Sequence, residues 1–112
     1  MTLTQIEKKL VAAKKEYDYW CLVKETFNRI SKMDINHLDE KTAIYVCYIL
    51  QGSVVEAAKA INELGYRIGS RKYQSNDISD AIDTVTIDDE ILQNVARSLL
   101  NGGRSFINKL HN

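Results

Sequence analysis

A chain of 112 residues, 45% hydrophobic and 27% charged, is the size of one domain with one apolar core and is too apolar to stay disordered. Fifteen Lys plus Arg balance fifteen Asp plus Glu, which excludes a polybasic tail or an acidic nucleic-acid mimic as the whole account. No apolar run approaches the ~20 residues of a membrane span and the first nine residues lack the apolar core of a signal peptide, so a soluble, cytoplasmic protein is expected.

Thr4-Gln5-Ile6-Glu7 reads as a capping box, with the Thr4 hydroxyl accepting from the Glu7 amide. It opens a stripe of Leu3, Ile6, Leu10, Ala13, Tyr17, Trp20 and Phe27, spaced three and four apart and interrupted by Lys24. Val23, Phe27 and Ile30 pick up a shifted stripe, while Lys8, Lys9, Lys14, Lys15 and Glu16 line the other face. The spacing predicts one helix over about residues 4–32, about 43 Å long, long enough that part of it should protrude. Cys21 lies in this helix and Cys47 in the next. They fit neither a metal spacing nor a CxxC motif and are expected as reduced thiols on apolar helix positions.

Residues 33–37 form a polar break, and a second helix is expected from about 38–40 to Leu50, apolar nearly all round and therefore central. Gln51-Gly52 ends it. Ser53-Val54-Val55-Glu56 is a second capping box, opening a helix with Val54, Ala57, Ala58, Ile61 and Leu64 on one face and Gly65 at its left-handed exit. Residues 66–74 form a basic loop with room for a small two-stranded wing at 66–73. Ser75-Asn76 caps a fourth helix holding Ile78, Ala81 and Ile82, and Thr86 caps a fifth holding Ile87, Ile91, Leu92, Val95 and Leu99. Gly102-Gly103 stops it, and Phe106, Ile107 and Leu110 suggest a last turn packing back. The absence of proline suits a chain that is mostly helix. The expectation is an all-α fold: a long amphipathic N-terminal helix (1–33), then a helical bundle (34–112). Its core should hold Val46, Cys47, Leu50, Ala57, Ala58, Ile61, Leu64, Ile78, Ile82, Ile91, Val95 and Leu99.

The neutral total conceals blocks of charge: residues 1–33 carry +3, 34–53 carry −2, 54–75 carry +2, 76–96 carry −6 and 97–112 carry +3. The acidic block Asp77, Asp80, Asp83, Asp88, Asp89 and Glu90 straddles two helix starts, where exposed amides and the helix dipole favour carboxylates. It matches no calcium loop. His37 and His111 belong to no paired motif, and no nucleotide-binding glycine pattern or nucleophile elbow occurs. A non-enzymatic protein with no cofactor and no metal is therefore expected.

Residues 52–82 carry the one functional pattern. A short helix with Ala57-Ala58 at its centre leaves through Gly65 into Arg71-Lys72-Tyr73-Gln74, ahead of a second short helix. Gly52, Val55, Ala57, Ala58, Ile61, Asn62, Gly65, Arg71, Lys72, Tyr73, Ser75 and Ile78 resemble the helix-turn-helix of serine-recombinase accessory domains and of small phage or plasmid regulators. That resemblance implies a DNA-binding transcriptional regulator of mobile-element type acting on double-stranded DNA. Arg67, Arg71, Lys72 and Tyr73 would lie along the phosphates and Gln74, Ser75 and Asn76 nearest the bases. Two features depart from it: the connection from Gly65 to Ser75 exceeds the compact turn, and Asp77, Asp80 and Asp83 would repel phosphates. The other reading is a helical protein–protein interaction module, an adapter or inhibitor of phage or other mobile-element origin. Under either, the stripe from Leu3 to Phe27 is expected to form a homodimer seam or to meet a partner, unless the first helix folds back along the bundle and the protein stays monomeric.

Overall fold

Helical periodicity runs from the third residue almost without a break, and the computed structural model, which describes residues 1–102, places five α-helices in chain order. These are α1 (Leu3–Ile30), α2 (Glu40–Gln51), α3 (Val54–Glu63), α4 (Ser75–Thr84) and α5 (Glu90–Leu100), with one 3-10 turn (Ile35–His37) in the polar break. The wing is reduced to a single bridge between Ile68 and Arg71 around Gly69-Ser70. The last turn expected at Phe106, Ile107 and Leu110 lies outside the described residues.

Several helix starts differ from the sequence expectation by one to three residues. The capping box of α1 is Thr2 with Gln5, not Thr4 with Glu7: the Gln5 amide donates to the Thr2 hydroxyl and the Gln5 side chain accepts from the Thr2 amide. Starting earlier lets Leu3 and Thr4 join the helix, and its other end comes at Ile30 rather than Lys32. Gln74, not Ser75, precedes α4, where Asp77 accepts from the Gln74 amide at 2.8 Å. α5 is capped by Asp89 rather than Thr86, its carboxylate accepting from the Leu92 amide at 3.1 Å. Ser53 caps α3 as expected, accepting from the Glu56 amide. At Gly52 and Gly65 the chain leaves α2 and α3 with φ of 75° and 93°, a left-handed region that a residue with a Cβ enters only at a cost.

The core gathers around α2, whose residues from Ala43 to Ile49 are all buried. α3, α4 and α5 wrap it through Ala57, Ala58, Ile61, Ile78, Ile82, Leu92, Val95 and Ala96. Leu50, Leu64 and Leu99 sit at its edge. Ile91, expected inside, is 54% exposed, because α5 turns Leu92, Val95 and Ala96 inward and Ile91 lies on the opposite face.

The buried polar groups tie the helix ends. The Tyr45 hydroxyl on α2 donates to the carbonyls of Ile82 (2.9 Å) and Val85 (2.5 Å) at the C-terminus of α4. Arg97 on α5 reaches the same two carbonyls, through Nε at 2.7 Å and Nη2 at 3.0 Å. A cation at a helix C-terminus meets the negative end of the dipole, so this latch holds three helices through groups that would otherwise be orphaned.

Among the described residues, α1 buries side chains against this bundle with its C-terminal part only. Between residues 3 and 18 no side chain is buried; the first buried residue is Tyr19, followed by Thr26 and Ile30. The Ser98 hydroxyl donates to the Val95 carbonyl at 2.7 Å, so the Tyr19 hydroxyl is the donor in its 2.9 Å bond to Ser98. Arg29 grips Asp89 with both Nη atoms, at 2.7 and 3.1 Å, fixing α1 to the cap of α5. The N-terminal part projects as an arm. The molecule measures 61 × 26 × 21 Å, and its radius of gyration of 16.5 Å exceeds the ~13–14 Å of a compact chain this long.

Candidate docking surface

Two surfaces compete as the functional site: the basic loop between α3 and α4, and the apolar stripe on α1. The loop is pinned by its own side chains. Asn62 on α3 pairs through its side-chain amide with both backbone groups of Tyr73, accepting from its N–H at 2.8 Å and donating to its carbonyl at 3.0 Å. The Tyr66 hydroxyl donates to the Leu38 carbonyl, and the Tyr73 hydroxyl donates to Glu40. Burial, then the Glu40 carboxylate, pushes the Tyr73 hydroxyl up to about 12.

These ties absorb most of the loop's positive charge. Arg67 is half-buried and donates to the carbonyls of Asn62 and Tyr66, closing the end of α3. Arg71 makes a two-point ion pair with Asp77, at 2.9 and 3.1 Å. The Arg71 guanidinium holds the Asp77 carboxyl below its usual range, helped by the Gln74 amide. Lys72 is exposed and makes no ion pair among the described residues. Tyr73 and Ser75 are half-buried, whereas Gln74 and Asn76 are exposed at the start of α4. The seven residues expected to meet DNA thus lie on one continuous loop and helix start, but Lys72 is the basic group left to solvent alone. Asp80 and Asp83 stand exposed further along α4.

The stripe on α1 has the opposite character. Leu3 is 70% exposed, Leu10 65%, Tyr17 69% and Trp20 52%, and Ile6, Ala13 and Phe27 are exposed with them. The helix turns a different face to the bundle: Tyr19, Thr26 and Ile30, with Leu22 and Val23 packed at the core's edge. At 100° per residue that face lies well round the helix from the stripe, so α1 docks without covering it. Trp20 packs its ring edge-on against Tyr19, centroids 5.1 Å apart. Of the eleven exposed large hydrophobic residues among those described, eight are in the first 27 residues, and six of those eight lie on this stripe. Apolar patches beyond a few hundred Å² are uncommon on monomers and mark places where something binds.

Elsewhere the chemistry is sparse. An open depression of about 240 Å³ beside the start of α2 is lined by Asp39, Lys41, Thr42, Thr86, Ile87 and Asp88. Asp39 is held low chiefly by hydrogen bonding from Thr42, as the cap of α2. Among the described residues no group of His, Cys, Asp and Glu is placed to hold a metal ion, and no helix is long and apolar enough to cross a membrane. Cys47 is buried and Cys21 half-buried, both as free thiols. Sequence reading missed the Tyr45–Arg97 latch and the Asn62 tie, which join residues distant in the chain and leave no local signature. The chain matches no protein-family model, no curated protein and no solved structure.

Proposed function

We propose that this protein is a non-enzymatic protein–protein interaction module that works through the solvent face of α1. The observation that carries the reading is the apolar stripe from Leu3 to Phe27, standing open on a helix whose other face already holds the bundle. Removing such side chains from water is worth about 25 cal/mol per Å². An arm that buries no side chain against the described helices offers that gain to whatever lies along it. An amphipathic helix presenting anchors three and four residues apart is a recurrent form of protein recognition.

A DNA-binding regulator of mobile-element type is the second reading, favoured by the exposure of Lys72, Gln74 and Asn76 together at the start of α4. It ranks lower because Arg71 is neutralised by Asp77 and Arg67 is engaged by backbone carbonyls. Phosphate recognition needs cations free to displace counterions.

The readings separate in one experiment. The full chain is cross-linked in lysate with and without nuclease, beside Leu10→Asp/Trp20→Ala and Arg71→Ala/Lys72→Ala variants, and its partners are identified by mass. The interface reading expects nuclease-resistant adducts that the stripe variant loses and the loop variant keeps. Adducts that vanish with nuclease, or that only the loop variant loses, refute it in favour of DNA.

A further inference from the structure

We infer that the stripe from Leu3 to Trp20 is covered by a second copy of this chain, with the two α1 arms antiparallel and Leu3 facing the partner's Trp20. The inference rests on the reading of α1 as the interface and names its occupant.

The stripe follows a heptad, with Leu3, Leu10, Tyr17 and Lys24 at one seam position and Ile6, Ala13, Trp20 and Phe27 at the other. Antiparallel helices set the first kind of position against the second. One register pairs Leu3 with the partner's Trp20, Ile6 with the partner's Tyr17 and Leu10 with the partner's Ala13, each pair repeated by the two-fold axis. Every layer is apolar, and large residues face smaller ones. The overlap ends at Trp20, where α1 begins to bury Tyr19 in its own bundle, and it leaves Lys24 outside the seam.

The flanking charges select this register. Glu7 and Lys14 border the stripe on one side, Lys9 and Glu16 on the other. In the register above, Glu7 lies beside the partner's Lys14 and Lys9 beside the partner's Glu16, so all four contacts join opposite charges. Sliding one heptad further, so that Leu3 meets the partner's Phe27, sets Lys14 against the partner's Lys14 and Glu16 against the partner's Glu16. It also buries Lys24 opposite Ile6. A parallel pair sets Lys9 against the partner's Lys14. Among the described residues of their own chain Glu7, Lys9 and Glu16 make no ion pair, and Lys14 holds only an exposed bridge to Asp18, with 74% of the lysine side chain in solvent. The four groups are therefore placed to serve a partner. Two helical segments of this length bury on the order of 1,000 Å² in total, the lower bound for a specific interface. The dimer is accordingly reversible, with dissociation in the micromolar range.

Sedimentation equilibrium of the full chain from about 1 to 200 μM tests this. The wild-type mass should rise from 12.8 kDa towards twice that value. Lys14→Glu is the discriminating variant, since an exposed position leaves the fold intact, which circular dichroism checks. The inferred register sets the introduced carboxylate beside the partner's Glu7, so Kd should rise roughly tenfold at low salt. Adding Glu7→Lys restores opposite charges and should bring Kd back to within about threefold. An unchanged Kd for Lys14→Glu points to the Phe27 register, and a tighter dimer points to a parallel pair; either overturns the inference. A wild-type mass of 12.8 kDa throughout also overturns it. In that case the interface reading still stands or falls on the lysate adducts lost in the stripe variant.

Discussion

Tyr45 and Arg97 share two carbonyls, and that sharing makes their energies measurably dependent on one another. Tyr45→Phe removes one hydroxyl but leaves Ile82 and Val85 with the Arg97 donors, so the loss should be that of an ordinary buried hydrogen bond, about 1 kcal/mol. Arg97→Met keeps the aliphatic packing but removes two charge-assisted bonds and the cation at the end of α4. The hydroxyl still serves both carbonyls, so about 2 kcal/mol should go. In the double variant the carbonyls lose every donor these two side chains supply, at a site where the Ile82 side chain is fully buried. The desolvation cost that each single change avoided then appears, and the double loss should exceed the sum of the singles by roughly 1 kcal/mol. Urea titration followed by helical circular dichroism and by the fluorescence of the single Trp would measure the cycle. Losses that add to within about 0.3 kcal/mol would refute the shared-acceptor account.

Two further predictions concern the core and its turns. Burial pushes the Cys47 thiol up to about 11 from 9.0. Only the unfolded chain then releases its proton between these values, so stability present below pH 9 is lost as pH rises towards 11. About 1.3 kcal/mol should disappear between about pH 8 and pH 10 in the wild type and be absent from the slope of Cys47→Ala, as urea midpoints at each pH would show. At Gly52, φ is 75° with open space where a Cβ would stand, so Gly52→Ala meets only the backbone cost. A drop of about 1 kcal/mol in thermal or urea stability is expected, and an unchanged or raised stability would contradict the left-handed exit from α2.

The lower rank of the DNA reading turns on geometry rather than composition. Arg67, Arg71 and Lys72 look alike in the sequence, three cations in a polar loop, but the fold treats them differently. Asp77 comes within reach of Arg71 only because the chain turns at Gly69-Ser70 and enters α4 at once. The Asn62 tie to Tyr73 holds that path in place. Ion pairing between residues six apart across a turn is decided by backbone course, which no helical or strand period encodes.

The helices themselves were legible because periodicity is a local property. Apolar side chains recurring every three to four residues bury only when the chain coils at 3.6 residues per turn, and Gly52 and Gly65 stop it where a left-handed step is needed. The centrality of α2 followed from its apolar circumference. Cap positions shifted by one to three residues, since Thr2 and Thr4, Gln74 and Ser75, and Thr86 and Asp89 are near-equivalent choices locally. Which side of α1 meets the bundle lay with the tertiary structure. α1 carries two apolar faces, one through Tyr17, Trp20 and Phe27 and one through Tyr19, Leu22, Val23 and Ile30. The spacing marks the first as the surface for a partner, but it does not single out Tyr19 and Leu22, with Val23 and Ile30, as the side that meets the bundle. The bundle takes the second because Ser98 meets the Tyr19 hydroxyl and Asp89 meets Arg29 on that side, contacts spanning 79 and 60 residues. The first face is left in water because its side chains point well away from that contact.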